Sequence, residues 1–247
     1  MEHILEITVN SLQSALEAQQ GGADRVELCD NFAEGGTTPS HGMIITAAWK
    51  LLIDLYVIIR PRGGDFLYDE LEFEVMKRDI QFAKEAGVKG VVFGILLENG
   101  EIDKKRNREL VELAQPMQTT FHRAFDMTTN PFQSLEDVIE TGFDRILTSG
   151  QQSTAPEGTD LIAQLVQKAG EKITIMPGSG INEQNIVDIA HKTGAREFHG
   201  SFSKSVPSSM TFRNDRSSMG NKKTDEYELK IADVDQIISI KNLLSQL

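Results

Sequence analysis

Glu6, Glu27, Arg60, Arg62, His122 and His199 all stand where apolar runs of this 247-residue chain give way to polar ones. The clearest case is Val57-Ile58-Ile59-Arg60-Pro61-Arg62-Gly63-Gly64-Asp65, an apolar strand ending in two arginines and a glycine pair. Charge at a strand end needs a partner or a task, because ligands of parallel α/β sheets sit beyond the carboxyl ends of the strands. A glutamate there can act as general base, with His122 as an acid-base shuttle, His199 beside it and the arginines clamping an anion. Phe121-His122-Arg123-Ala124-Phe125-Asp126 sets Arg123 and Asp126 next to that histidine. The alternative is a closed ion-pair network of Glu6 and Glu27 with Arg60, Arg62 or Arg123. Network and catalysis perturb the same ionisations, so both readings stand at this point.

Two further stretches could hold a ligand. Met176-Pro177-Gly178-Ser179-Gly180-Ile181-Asn182 joins a strand to a helix, and Gly200-Ser201 follows another strand. Bare backbone at Gly178 and Gly180, with Ser201 nearby, suits the phosphate seat of barrels; an ordinary tight turn is the competing reading. Cys29, the single cysteine, reads as a small buried hydrophobe.

The elements that must position these residues alternate from end to end. Strands are expected at Ile4–Val9, Arg25–Cys29, Val57–Arg60, Gly90–Leu96, Thr119–Phe125, Arg145–Ser149, Lys172–Met176 and Arg196–Phe202. Amphipathic helices fall between them, opened by Ser11, Ser40 or Pro131 and closed by Gly21, Gly87 or Gly142. The last helix covers about 232–245. Eight such units without a break in composition imply a (β/α)8 TIM barrel, α/β in class and a single domain; an open doubly wound sheet is the alternative. Strand alternation then puts Glu6 with Thr8, Glu27 with Arg25 and Cys29, His122 with Thr120 and Ala124, and His199 with Glu197 and Ser201 on inward faces. Residues 203–227 interrupt the rhythm with a long polar stretch containing Met210, Phe212, Arg213 and Met219, expected to be a lid or a subunit contact of a homo-oligomer.

A net charge of −12 argues against nucleic acid and acidic membranes as partners. No stretch approaches the ~18 apolar residues of a membrane span. One cysteine forbids an intrachain disulfide, and Met1-Glu2-His3-Ile4-Leu5-Glu6 lacks the basic start of a secretory signal, so a cytoplasmic location is expected.

Five blocks together resemble the CutC family: Arg25-Val26-Glu27-Leu28-Cys29, Glu34-Gly35-Gly36-Thr37-Thr38-Pro39-Ser40, Ile59 to Phe66, Thr120 to Met127, and Leu147-Thr148-Ser149-Gly150. The resemblance runs from Glu6 to the final helix. It implies a cytoplasmic TIM-barrel protein of copper homeostasis, thought to bind copper, and Ser149 joins the expected substrate-binding set. Cu(I) prefers thiolate and thioether ligands, and a two-thiolate site cannot form within one copy of this chain. Copper would therefore need Cys29 with His41, a methionine or a second subunit. The mixed charges of the lumen better suit a small anionic or polyhydroxylated metabolite, such as a sugar phosphate. Whether the chain is an enzyme stays open at this level.

Overall fold

The computed structural model describes residues 3–214, 216–217 and 225–247. Eight parallel strands alternate with helices: β1 Ile4–Val9, α1 Leu12–Gln20, β2 Arg25–Leu28, α2 His41–Lys50, β3 Asp54–Ile58, α3 Glu70–Glu85, β4 Gly90–Phe93 and α4 Lys104–Ala114. They continue as β5 Gln118–Phe121, α5 Pro131–Thr141, β6 Arg145–Thr148, α6 Thr159–Ala169, β7 Thr174–Pro177, α7 Ile186–Thr193 and β8 Glu197–Gly200. Neighbours in sequence pair side by side from β1 to β7, and β8 returns to pair with β1. A parallel bridge between Gly178 and His199 draws the two ends of the sheet together, giving the expected TIM barrel.

Alternation along the strands divides the interior in two. Leu5, Ile7, Val26, Leu28, Val57, Val91, Phe93, Phe121, Ile146 and Phe198 point outward into one continuous apolar core with the helices. Their neighbours point into the lumen, which is polar: Glu6, Arg25, Tyr56, Thr120 and Arg145 are buried there. The helices are anchored locally. Ser11, Ser40, Asp69 and Asn130 each accept a backbone N–H at a helix start, and Asp69 with Glu72 completes a capping box.

Three boundaries differ from the sequence reading. The fifth strand stops at Phe121, and Arg123–Met127 turns into a 3-10 helix, so Ala124 and Phe125 leave the sheet. His122 becomes the residue that caps this turn. The third strand ends at Ile58, leaving Arg60 and Arg62 in the following loop. The stretch expected to be one long loop forms an antiparallel hairpin, β9 Ser203–Pro207 with β10 Glu228–Ala232, before α8 Val234–Leu244. β10 lies beside α1, where the Ala232 N–H donates to Ser14 Oγ at 3.2 Å. Met210 and Phe212 are exposed, and the Arg213 guanidinium lies over the Tyr227 ring; Met219 is outside the described residues.

Candidate functional site

The lumen is closed from below by a charged ring. Glu197 accepts from Arg145 Nε at 2.5 Å and from Arg25 Nη2 at 2.6 Å, and Arg25 Nε donates to Glu6. Both guanidinium groups lie against the Tyr56 ring, at 4.7 and 5.6 Å, while the Tyr56 hydroxyl donates to Gln118. Gly90 makes room for that ring: a Cβ there would lie 2.5–2.7 Å from three of its carbons. Glu6 therefore belongs to the interior of the lumen, not to its opening. Burial alone would raise its pKa, but Arg25 and then His199 hold it down to about 2. The expected partners Arg60, Arg62 and Arg123 play no part in this network. Arg145, at the start of β6, was missed, although the same alternation that picked out Glu6 places it on the inward face.

Above the ring, a chain of groups leads outward. His199 Nδ1 lies 2.7 Å from Glu6 Oε1, and its Nε2 lies 3.8 Å from Glu27 Oε2. Burial favours the neutral ring, but the two glutamates on either side raise the pKa of His199. Glu27 has no arginine partner. Its pKa is raised, first by burial and then by Glu6, against the opposing pull of His199 and of hydrogen bonds from Cys29 and Thr8.

Glu27, Cys29 and His199 line a cavity of about 500 Å³ at the carboxyl end of the barrel, opposite His122, Arg123 and Asp126 and walled by Ile58, Phe66 and Leu147. His122 is 5% exposed, and its Nδ1 accepts the Ala124 N–H at 3.3 Å. A neutral ring that accepts at Nδ1 carries its proton at Nε2. That Nε2 is buried without a protein partner. Burial, then the positive charge of Arg60, pushes the pKa of His122 down to about 3. His122, expected as a proton shuttle, is here an enclosed ring whose environment favours the neutral form.

The arginines expected to clamp an anion are engaged mostly by the protein itself, with Arg60 Nε the one buried N–H among them left without a protein partner. Arg60 reaches the cavity, but Nη1 donates to the Glu34 and Gly36 carbonyls and Nη2 to the Gly64 carbonyl, all at 2.7 Å. Arg62 lies outside the cavity, bound to Glu72, Asp65 and backbone carbonyls of its own loop. Arg123 is partly exposed at the rim, with Nε on Asp126 at 2.8 Å and Nη2 on Ser149 Oγ at 2.7 Å.

Asp126 also accepts from Thr148 Oγ1 and from the Ser149 and Gln151 N–H groups. It and Ser149 are therefore fasteners of the loop after β6, with Ser149 fully buried. Gly178 and Gly180 fall away from the opening. The Gly178 N–H is held by the Thr148 carbonyl, and the Gly180 carbonyl accepts from Asn185. Ser201 lines the cavity, as expected of the residue after β8.

Copper would have to be held by Cys29 and the groups around it. The Cys29 thiol is pushed well above its ordinary pKa by burial and by Glu27, so it stays protonated. His41 stacks on Phe82 on the outside of the barrel, far from a role as its co-ligand. Among the described residues no three His, Cys, Asp or Glu side chains converge as a metal cluster. These residues do not fit a resident copper centre. Among them, too, no helix is long and apolar enough to cross a membrane.

The profile of the CutC family matches residues 3–204. A family protein CutC from Parabacteroides distasonis is 54% identical over 222 residues, covering 90% of this chain and 91% of the relative. A human protein named copper homeostasis protein cutC homolog is 46% identical, covering 98% of this chain and 90% of its own length. Among solved structures, that of CutC from Streptococcus agalactiae superposes with a TM-score of 0.77 at 36% identity, over 81% of this chain and 98% of that one. With the family profile matched over residues 3–204 and relatives similar along nearly the whole chain, it belongs to the CutC family.

Proposed function

We propose that this protein serves copper homeostasis and does so without a resident copper ion. The first half of the reading is carried by whole-chain identity to relatives that bear that name. The second half rests on the donor chemistry of the opening. Cu(I) binds thiolate, and the single thiol of this chain is buried, protonated and beside a carboxylate. Deletion of the gene in its host is expected to change tolerance of added copper, and a copy carrying Cys29→Ser is expected to restore it. Unchanged tolerance on deletion would remove the copper role. A folded Cys29→Ser protein that fails to restore tolerance would instead show that the sulfur is needed.

A further inference from the structure

Among the described residues around the opening, Glu27 and His122 stand apart, and Arg60 Nε is the one other buried polar atom there without a protein partner. Asp126 is saturated by backbone and hydroxyl donors, and Glu6 and Glu197 are held by arginine. Among the described residues, Glu27 alone is a buried carboxylate that lines the cavity and has no cationic partner closer than His199 Nε2, at 3.8 Å. His122, on the facing strand end, offers a buried N–H without a protein acceptor. A base and an uncharged donor in one cavity are the two parts needed to move a proton from carbon beside a carbonyl. The donor keeps its proton throughout and polarises the carbonyl oxygen as a neutral imidazole can.

The class of substrate follows from what surrounds the pair. Arg60 Nη1 and Nη2 are turned to backbone carbonyls and only its Nε lacks a protein partner, while the glycine loop after β7 lies outside the cavity, so no bidentate phosphate or carboxylate seat is built there. Ile58, Phe66 and Leu147 supply apolar walls of the kind that pack against the C–H faces of polyols.

We propose that this opening catalyses proton transfer at the carbon next to the carbonyl of a small uncharged hydroxy-aldehyde or hydroxy-ketone, with Glu27 as base and His122 as the donor to the carbonyl oxygen. The Glu27 carboxylate takes the proton, and the electron pair of the broken C–H bond enters the carbon–carbon bond as the carbonyl becomes an enolate. The His122 N–H stabilises the oxygen. Glu27 then returns the proton to the same carbon or, after a hydroxyl proton shift within the enediol, to the neighbouring one. Nothing is oxidised or reduced overall, and no co-reactant is consumed. His199 is a positioning residue that links Glu27 to Glu6.

The test is hydrogen exchange in D2O. Full-length protein is incubated with a panel of three- to six-carbon uncharged aldoses, ketoses and hydroxy-ketones, and their phosphorylated counterparts, while proton NMR follows loss of the signal beside the carbonyl. Exchange into an uncharged member is expected, reduced at least 10³-fold by Glu27→Gln and about 10²-fold by His122→Asn. Circular dichroism and melting of Glu27→Gln establish that the variant is folded; because it removes a buried charge, it is expected to melt no lower than the parent. No exchange across the panel, exchange only with phosphorylated members, or exchange unaffected by Glu27→Gln would each overturn the proposal. The inference does not rest on the copper reading: exchange is measured on purified protein with no copper added, and tolerance of copper is scored separately in the host.

Discussion

Protonating His122 should unfold this protein progressively as the pH falls below that of a free imidazole. In the native state its Nδ1 is occupied by the Ala124 N–H and its ring is enclosed beside Arg60, which lowers its pKa from 6.5 to about 3. The unfolded chain takes up the proton near pH 6.5 and the folded chain does not, so unfolding is coupled to proton uptake. The contribution is fully present above pH 6.5 and is lost progressively from there toward pH 3. Each unit in that window removes ~1.4 kcal/mol, or about 3 kcal/mol by pH 4.5.

His199 works in the opposite direction. Its raised pKa adds stability below the unfolded value that disappears as pH rises through the folded one, so the two histidines separate on the pH axis. Urea unfolding of the parent and of His122→Asn between pH 7 and 4.5 measures the effect. Asparagine can still accept the Ala124 N–H, so the turn keeps its cap while the titrating group is gone. The variant should show a pH slope shallower by ~1.4 kcal/mol per unit. Equal slopes in the two proteins would refute the assignment of a neutral, enclosed imidazole, and with it the donor role in the opening.

Two further outcomes follow from the lumen. Gly90→Ala drives a methyl group into the Tyr56 ring, which is pinned between Arg25, Arg145 and Gln118 and has nowhere to retreat, so a loss of about 1–3 kcal/mol is expected in denaturant titration. Arg25→Met leaves Glu6 with His199 alone and Glu197 with Arg145 alone; a loss of about 3 kcal/mol near pH 7 is expected. Because Arg25 is the main group holding Glu6 at about 2, its removal should also shrink the stability that Glu6 contributes above pH 4.5 and that is lost as pH falls toward 2. A variant whose acid-unfolding profile matched the parent's would show that the charged ring contributes nothing.

Much of the barrel is legible in the sequence because its signals are local. Strand alternation, capping serines and closing glycines depend on neighbours within a turn or two, and the eight-fold repetition left few architectures open. The inward faces of β1, β2 and β8 follow from the same period-two rule, which is why Glu6, Glu27 and His199 do share one lumen. Their depth was not legible. Which layer of the barrel an inward residue occupies depends on the stagger between strands, and pairing Glu6 with Arg25 and with His199 sets it below the opening.

The arginines were misplaced for a related reason. Arg60 and Arg62 alternate as a strand would, yet the strand ends at Ile58, and long side chains past a strand end go wherever acceptors lie. Those acceptors are carbonyls of the loops at 34–36 and 63–67 and, for Arg62, the Asp65 and Glu72 carboxylates, whose placement no local pattern specifies. The hairpin of β9 and β10 was likewise hidden, because its strands are mostly exposed and polar and carry little of the apolar alternation that marks a buried strand.

By itself, the order of residues determined that this chain makes a parallel barrel with acids and imidazoles on its inner wall, since backbone periodicity and burial of apolar side chains act over short distances. Only the tertiary structure decided which carboxylates would be paired with arginine and which would be buried without one, because an ionisation is set by the charges and the solvent within a few ångströms in space. Glu6 and Glu27 show this most directly: they have the same side chain on adjacent strands, and Arg25 holds the pKa of one down while burial without such a partner raises that of the other.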